Sequence, residues 1–419
     1  MTTSTDGATP SQPQPANVLS GSHQQLKAPA AGVDGDKGTP EQGWRPDILG
    51  GHFQARTLAL GNDSEGPVFA TLVRSPVSAN PATNEHSNHK RLGHPPLADV
   101  DVLYVHGWSD YYFQKGLATY WNTLGADFYA LDLRKYGRSL RKWQTPGYTD
   151  TLTIYDQDIK AALDQMGTHK RGRRLVLLGH STGGLTLTLW ASRHRGQAAA
   201  LVLNSPWLEF QTGNSGRVTL APLVKAQAMV DPKAAYPDLD LGYYTRAQQA
   251  VGSLPKRGYR HDWRPKRGFV TRPGWLNAIF EGQKQLWDKG ANVGCPTLVL
   301  LSAHHSVPFG WSDAMKSSDS VLVVDDIAQC ATRIHPSVTI DRIDGALHDV
   351  FISAAAPREA AYRALSGWLM FGEMMQPSHA AHVQAATARA VAAQATPPKT
   401  SADEPLVPAA KPAEPSAQS

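Results

Sequence analysis

Runs of apolar residues alternate with segments of helical periodicity along the middle of the chain. Runs rich in apolar residues predict strands at residues 68–73, 100–105, 127–133, 175–178, 200–203, 297–301 and 338–343. Apolar residues spaced three and four apart predict helices at residues 155–166, 185–194, 326–334 and 359–371. Apolar strands that alternate with helices are typical of a parallel sheet covered on both faces. The pattern therefore predicts an α/β fold with a mostly parallel central sheet.

One segment, residues 207–290, breaks this alternation because it has several helical patches and no clear strand. An insertion after the carboxyl end of a strand in such a sheet lies over the ligand crevice. We therefore expect a helical cap at 207–290, inserted between two parts of the core at 44–206 and 291–376.

The two ends of the chain differ in composition from the middle. Residues 1–43 are rich in Pro, Gly, Ser, Thr and Gln, and residues 377–419 are rich in Ala, Pro, Gln and Lys. Segments with so few large apolar side chains cannot bury enough surface to offset chain entropy. Both are predicted to be disordered tails.

The overall charge is modestly basic, with a formal net charge of +5 and 18% charged residues. Part of the excess is local, because the stretch 256–272 contains seven basic residues and only Asp262 as an acid. A solvated loop explains this stretch, and attraction of an anionic substrate or a membrane surface is the alternative. No repeat of basic and aromatic residues suggests stacking on bases, so we do not expect nucleic acid as a partner.

Other signals bear on compartment and cofactors. The sequence contains no secretory signal and no apolar stretch of about 18 residues, which favours a cytoplasmic protein without a transmembrane segment and allows peripheral membrane contact. Its two cysteines have no metal spacing, and no phosphate loop or dinucleotide fingerprint occurs, so no metal or cofactor is expected. Three histidines, His86, His89 and His94, could bind a metal, but a solvated loop is the favoured interpretation. The oligomeric state stays open.

The strongest chemical signal is Gly-His-Ser-Thr-Gly-Gly at residues 179–184, which follows an apolar strand and precedes a helical run. In this context a serine lies on a strained strand-to-helix turn that exposes its hydroxyl, and its close neighbours must be small. The motif predicts Ser181 as a nucleophile. The free N–H groups at the start of the helix, including that of Thr182, would face a developing oxyanion.

A second oxyanion donor is expected from the turn after an earlier strand. His106-Gly107-Trp108 ends the run 100–105, and the glycine allows the chain to fold back beside the nucleophile. The Trp108 N–H would then join the Thr182 N–H in an oxyanion hole. An ordinary turn that ends a strand is the alternative.

A serine nucleophile needs a base, and the base needs an acid that orients it. His348 follows the last predicted strand and is the expected base, although it could instead cap the next helix. The less favoured bases are His180, His304 and His305. The acid should lie between Ser181 and His348, and the candidates are Asp313, Asp319, Asp325 and Asp326.

Four stretches together resemble the α/β-hydrolase superfamily, in its branch of serine aminopeptidases and monoacylglycerol-lipase-like enzymes. Residues 105–112 resemble the branch's His-Gly oxyanion loop, 132–139 its Asp-x-Arg-Gly-x-Gly-x-Ser stretch, 179–184 its Gly-His-Ser-x-Gly-Gly turn and 345–348 its Gly-x-x-His ending. The resemblance covers roughly residues 98–372, apart from the cap and one loop.

That loop is where the sequence departs from the branch. The branch has its acid immediately after the sixth strand, in Gly-x-x-Asp-x-Ile-Val-x-x-Glu, whereas residues 319–325 resemble only the later part of that pattern after an insertion. The resemblance implies that Asp319 is the acid of the triad. Asp325 would then cap the helix that it precedes.

The resemblance implies a serine hydrolase that cleaves an acyl ester, such as a monoacylglycerol or a lysophospholipid, and we expect short to medium acyl chains. In the cap, Trp207, Phe210, Trp275 and Phe280 would contact the acyl chain or simply pack the cap on the core. An amidase or aminopeptidase is the alternative, with Glu209 or Glu281 holding an amine. A hydrolase-fold binding protein without activity is the third hypothesis, because the acid of the triad is missing at its usual place in the sequence.

Overall fold

The computed structural model of the protein describes residues 43–79, 95–236, 241–255, 259–306 and 310–371. The three loop histidines, the first three residues of the basic stretch and nearly all of both predicted tails lie outside these ranges. The domain boundaries and the tails therefore stay predictions.

A nine-stranded sheet forms the centre of the molecule, with strands in the order β1-β2-β3-β5-β4-β6-β7-β8-β9. The strands are β1 Arg45–Pro46, β2 Gln54–Asp63, β3 Gly66–Ser75, β4 Val100–Val105, β5 Asp127–Asp132, β6 Arg174–His180, β7 Ala200–Asn204, β8 Thr297–Ser302 and β9 Val338–Ile343. The α-helices of the described residues are α1 Lys115–Thr123, α2 Tyr155–Met166, α3 Thr182–Arg193, α4 Gly213–Val230, α5 Tyr243–Ala250, α6 Pro273–Lys289, α7 Val324–Ala331 and α8 Ala355–Phe371.

Strands β4 to β9 pair in parallel, and β1, β2 and β3 extend the sheet at one edge by antiparallel pairing. This confirms the predicted α/β fold with a mostly parallel sheet. The carboxyl ends of the parallel strands meet at one edge of the sheet, which is where ligands bind in open α/β folds.

Alternate residues of each central strand enter two separate apolar cores. In β6, Leu175 and Leu177 face the core that contains α2, α3 and α6, whereas Val176 and Leu178 face the core that contains α1 and α8. Successive side chains of a strand point to opposite faces, so a strand buried on both faces must be apolar at every position. This requirement explains the continuous apolar runs in the sequence.

The segment between β7 and β8 contains α4, α5 and α6 and, within its described residues, no strand. Helix α6 packs on the core through Trp275, Ile279 and Leu286, whereas α4 exposes apolar side chains that include Leu223 and Val230. Peripheral contact of the protein with a membrane stays a prediction. Among the helices that the structure describes, none has the length and apolar character needed to span a bilayer.

Candidate active site

Ser181 lies on the sharp turn between β6 and α3, with φ 52° and ψ −118°. Positive φ is uncommon for a residue other than glycine and persists only where the surroundings hold it. The Ser181 N–H donates to the Asn204 carbonyl at 3.1 Å, and the Ser181 carbonyl accepts from the Trp207 N–H at 3.0 Å. These bonds tie the turn to β7 and to the chain that follows it.

The glycines around Ser181 allow backbones to approach closely. A Cβ on Gly183 would lie 2.4 Å from the carbonyl oxygens of Val105 and His106, so a side chain there would push α3 away from β4. A Cβ on Gly179 would lie 2.7 Å from the Cα of Gly184. The small residues predicted from the motif are therefore required by packing against backbone, which cannot move aside.

His348 reaches Ser181 from the loop after β9. Its Nε2 lies 3.0 Å from the Ser181 Oγ, and both side chains are buried. The next residue, Asp349, fixes this loop because its carboxylate accepts from the Asn204 Nδ2 at 2.7 Å and from the Gln114 Nε2 at 3.2 Å. The sequence gives no signal for these two partners of Asp349, which lie far from it along the chain.

Asp319 is the acid that contacts His348, with 2.8 Å between the Asp319 Oδ2 and the His348 Nδ1. Its other oxygen, Oδ1, accepts from the backbone N–H groups of Val321 at 2.7 Å and Leu322 at 2.8 Å. A parallel bridge between His305 and Asp319 returns the inserted loop to the end of β8. The inserted loop is therefore back at the end of β8 at the point where it supplies the acid.

The prediction that Asp325 caps the following helix is wrong. Helix α7 begins at Val324, so Asp325 lies inside its first turn, where it forms an exposed ion pair with Arg342 at 2.7 Å. The other acid candidates also lie away from His348: Asp313 pairs with Lys316, and Asp326 lies in the first turn of α7.

The alternative bases have other surroundings. His180 is buried with its Nδ1 3.2 Å from the Asn204 carbonyl oxygen, and burial lowers its pKa. His304 is largely exposed beside Asp344. His305 lines the cavity described below. Among the four candidate bases, His348 is the one that the structure brings within hydrogen-bond distance of the Ser181 hydroxyl.

The turn after β4 approaches Ser181 from the other side. A Cβ on Gly107 would lie 3.0 Å from the Ser181 Cβ, which shows how closely this turn passes. The His106 Nε2 accepts from the Leu133 N–H at 3.1 Å, which leaves its Nδ1 to donate to the Gly107 carbonyl at 2.8 Å. Burial lowers the pKa of His106, which favours this neutral form.

The two expected oxyanion donors lie beside Ser181 in sequence or in space. Thr182 is the first residue of α3, where N–H groups lack acceptors within the helix. Trp108 follows Gly107, and its ring lies 3.6 Å from that of Trp275, measured between centroids. The role of these two amides stays a prediction.

A cavity of about 310 Å³ opens beside Ser181 and His348. Three of the four predicted cap residues, Trp207, Phe210 and Trp275, line it. Phe280 is absent from the lining residues and packs against Phe210, with 4.9 Å between ring centroids, which agrees with its alternative role in packing the cap.

The cavity also contains polar residues that sequence analysis missed. Tyr244 stands edge-on to His348 with 5.3 Å between ring centroids, and Asp110 and Arg264 form a buried ion pair in the cavity wall. Within the described part of the chain, no three His, Cys, Asp or Glu side chains come together as a metal would require.

Comparisons with known proteins agree with the fold. One curated relative, lysophospholipase L2 of Escherichia coli strain K12, is 30% identical over 122 residues, which cover 29% of this chain and 34% of the relative. The match thus spans about a third of that relative's length.

Three solved structures are similar to the chain at low identity. They are a monoacylglycerol lipase of Paleococcus ferrophilus (20% identity, TM-score 0.50, 64% of this chain and 93% of that one), a soluble variant of the Saccharomyces cerevisiae monoglyceride lipase (14%, 0.51, 79% and 95%) and a thermostable carboxyl esterase of Bacillus coagulans (13%, 0.50, 75% and 97%). At these identities the likeness shows the fold alone.

The family comparison reaches further. The family model described as serine aminopeptidase, S33, matches residues 98–352, which is more than half of the 419-residue chain. This range includes the serine turn, the His348 loop and the turn after β4. The protein therefore belongs to the serine aminopeptidase S33 family of the α/β-hydrolase superfamily.

Proposed function

We propose that the protein is a serine hydrolase that cleaves carboxylic esters through an acyl-enzyme on Ser181. The observation that carries the proposal is the chain of contacts from the Ser181 Oγ to the His348 Nε2 and from the His348 Nδ1 to the Asp319 Oδ2. A buried serine, imidazole and carboxylate in this order can activate the serine hydroxyl. The relative named lysophospholipase L2 supports an acyl ester as the substrate.

The reaction would proceed in two halves. The Ser181 Oγ attacks the ester carbonyl while the His348 Nε2 takes the hydroxyl proton, and the imidazolium then gives that proton to the departing alcohol. Asp319 holds the imidazole orientation and stabilises its positive charge. In the second half, His348 takes a proton from the water that attacks the acyl-enzyme, and it returns that proton to the Ser181 Oγ as the bond to the acyl group breaks and the acid leaves. The Trp108 and Thr182 amides would bind the oxyanion in both halves.

The cavity supports an acyl group of limited size. Its volume of about 310 Å³ is near the lower limit of ligand pockets, which range from about 300 to 1,000 Å³. Its lining near Ser181 is aromatic and aliphatic, with Trp207, Trp275 and Leu322 among the contributors. These features favour short to medium acyl chains.

An aminopeptidase would need a free carboxylate in the cavity to bind the substrate's ammonium group. Glu209 does not line the cavity and is buried against Arg217 at 2.7 Å, and Glu281 is exposed near Lys225. Asp110 does line the cavity, but Arg264 already balances its charge. The ester is therefore the favoured substrate, and peptide-end hydrolysis is the second candidate.

An inactive binding protein was an alternative only because no acid follows β8 directly. The 2.8 Å contact between Asp319 and His348 removes that reason. Our proposal therefore gives the site a catalytic role.

The test is hydrolysis of p-nitrophenyl esters of increasing acyl length by the wild type and by Ser181→Ala. We expect the wild type to prefer short to medium chains, the variant to lose turnover, and a fluorophosphonate probe to label only the wild type. Ser192→Ala, a change in helix α3, which follows the Ser181 turn, serves as the control that should keep both activities. Equal turnover by Ser181→Ala and the wild type would refute the proposal.

A further inference from the structure

The turn after β4 is anchored at both of its ends. At its start the His106 Nε2 accepts from the Leu133 N–H, and at its end the Tyr112 N–H donates to the Asp132 Oδ1 at 2.9 Å. Between these anchors Ser109 adopts φ 49°, a conformation that a non-glycine residue keeps only where its surroundings hold it. The middle of the turn therefore needs a further support.

That support comes from the cap. Asp110, two residues after Trp108, lies 3.0 Å from Arg264, measured from Oδ1 to Nε. Arg264 belongs to the segment between α5 and α6, so the contact joins the cap to the turn. Both side chains are only 6% exposed, and both residues line the cavity beside Ser181.

Neighbours in the cap hold Arg264 in place. One guanidinium nitrogen donates to the Tyr259 hydroxyl at 3.0 Å, another donates to the Gln248 Oε1 at 2.9 Å, and the group lies 5.3 Å from the centre of the Tyr244 ring. Each nitrogen of the guanidinium group therefore faces a different partner: Nε faces Asp110, Nη1 faces Tyr259 and Nη2 faces Gln248. A rigid arginine is well suited to fix the position of a carboxylate.

The two charges depend on each other. Burial raises the pKa of Asp110, and the Arg264 charge opposes this shift. Burial would lower the pKa of Arg264, but Asp110 together with the Tyr259 and Tyr244 hydroxyls outweighs burial and raises that pKa above its ordinary value. Removing one partner would leave the other charge buried without compensation, which is strongly unfavourable. The turn would then have to move so that the remaining charge could reach water.

We propose that Arg264 is a positioning residue, which acts through Asp110 to hold the Trp108 N–H toward the carbonyl oxygen of the substrate. This inference rests on the proposed ester hydrolysis. It implies that the oxyanion hole is complete only while the cap is docked on the core. A misplacement of about 1 Å in such a group lowers turnover by about 10²-fold.

The experiment measures kcat and KM for a short-chain p-nitrophenyl ester with Arg264→Met, Asp110→Asn, the double variant and Arg264→Lys. The matched control is Arg217→Met. It removes another buried ion pair of the cap, Arg217 with Glu209, in which the side chains are 2% and 1% exposed and neither residue lines the cavity. Circular dichroism and thermal unfolding show that each variant is folded, and Arg264→Lys replaces Arg264→Met if the latter does not fold.

We expect Arg264→Met and Asp110→Asn each to lower kcat by about 10²-fold, with KM changed by less than about threefold. The double variant should be no worse than either single one, because both act through one contact. Arg264→Lys keeps a cation and should show an intermediate loss. Arg217→Met should lower the melting temperature and leave kcat unchanged.

Three results would overturn the inference: the same loss of kcat in Arg217→Met, losses that multiply in the double variant, or an effect on KM alone. These results would leave the proposed function intact if the wild type hydrolyses the ester. A wild type that neither hydrolyses the ester nor reacts with the fluorophosphonate probe would refute the proposed function and this inference with it.

Discussion

Asp319 uses both oxygens of its carboxylate. One contacts the His348 Nδ1, and the other accepts two backbone N–H groups, from Val321 and Leu322. The backbone bonds fix the carboxylate, and the carboxylate in turn fixes the imidazole. The His348 Nδ1 and the two backbone N–H groups each face a carboxylate oxygen, which accepts a hydrogen bond. An asparagine at this position would turn its NH₂ group, a donor, toward one of them.

Asp319→Asn should therefore lower kcat by about 10⁴-fold, because the imidazole would be held in the wrong tautomer. The measurement is steady-state hydrolysis of a short-chain ester at neutral pH. Asp325→Asn is the matched control, since Asp325 lies nearby in sequence and forms an exposed ion pair with Arg342. Asp319→Asn with wild-type turnover would show that another group orients His348.

At the residue scale, the sequence was sufficient to predict those site residues that belong to a local motif. Ser181 lies in a glycine-rich turn and His348 ends a short recognisable stretch, and the structure brings both together with Asp319. The pair of Asp110 and Arg264 was missed because its members lie far apart in the chain: Asp110 belongs to no motif, and Arg264 lies in the basic stretch 256–272, for which a solvated loop was the favoured interpretation. Their contact depends on how the cap docks, which a one-dimensional pattern does not contain.

The packing of α3 against β4 shows how one element constrains another. The helix approaches the strand so closely that the position of Gly183 has room for a hydrogen only, next to two carbonyl oxygens of β4 and its turn. By contrast, a Cβ on Gly367 in α8 would meet nothing within 4 Å. The same substitution should therefore have opposite effects in these two helices.

We expect Gly183→Ala to destabilise the protein by about 1–3 kcal/mol, the typical cost of forcing extra atoms into a packed site. Gly367→Ala should stabilise it by about 0.5–1 kcal/mol, because glycine is unfavourable in a helix interior. Urea unfolding of both variants and the wild type gives the two differences. A neutral or stabilising Gly183→Ala would contradict the close packing of α3 on β4.

Among the elements, the central strands were the best predicted. The bounds of β4, in the middle of the sheet, match its apolar run, and the bounds of β9 were also predicted, although this strand lies at the sheet edge and is mostly half-buried or exposed. Strand β2 was missed because it lies near the antiparallel edge, where a register shift between Ala59 and Asn62 interrupts its alternation. Helix α1 was also missed.

At the scale of the whole molecule, ionic contacts join the described part of the predicted cap to the core, and two of them lie at separate places. Arg264 of the cap meets Asp110 beside Ser181. Lys233 of the cap meets Glu65, in the turn between β2 and β3, with 2.6 Å between the Lys233 Nζ and the Glu65 Oε1. The sequence predicted an inserted cap but gave no sign of either contact, because each joins charged residues that are distant in the chain.

The contact at Glu65 predicts a specific dependence of stability on pH. Burial would raise the pKa of Glu65, but hydrogen bonds from Lys135, Lys233 and Thr145 outweigh it and lower the pKa from 4.5 to about 2. The folded state therefore favours the ionised carboxylate more than the unfolded state does. Its contribution to the free energy of unfolding is fully present above pH 4.5 and is lost as the pH falls toward 2.

We therefore expect Glu65→Gln to be less stable than the wild type at neutral pH, and the difference in melting temperature to shrink steadily below pH 4.5. Thermal unfolding of both proteins between pH 7 and the lowest pH at which both still fold gives this difference. Glu281→Gln is the control, because Glu281 is exposed and lies 3.9 Å from Lys225, so its difference from the wild type should stay small throughout. A difference for Glu65→Gln that stays constant as the pH falls would mean that Lys135 and Lys233 do not hold Glu65 as an ion.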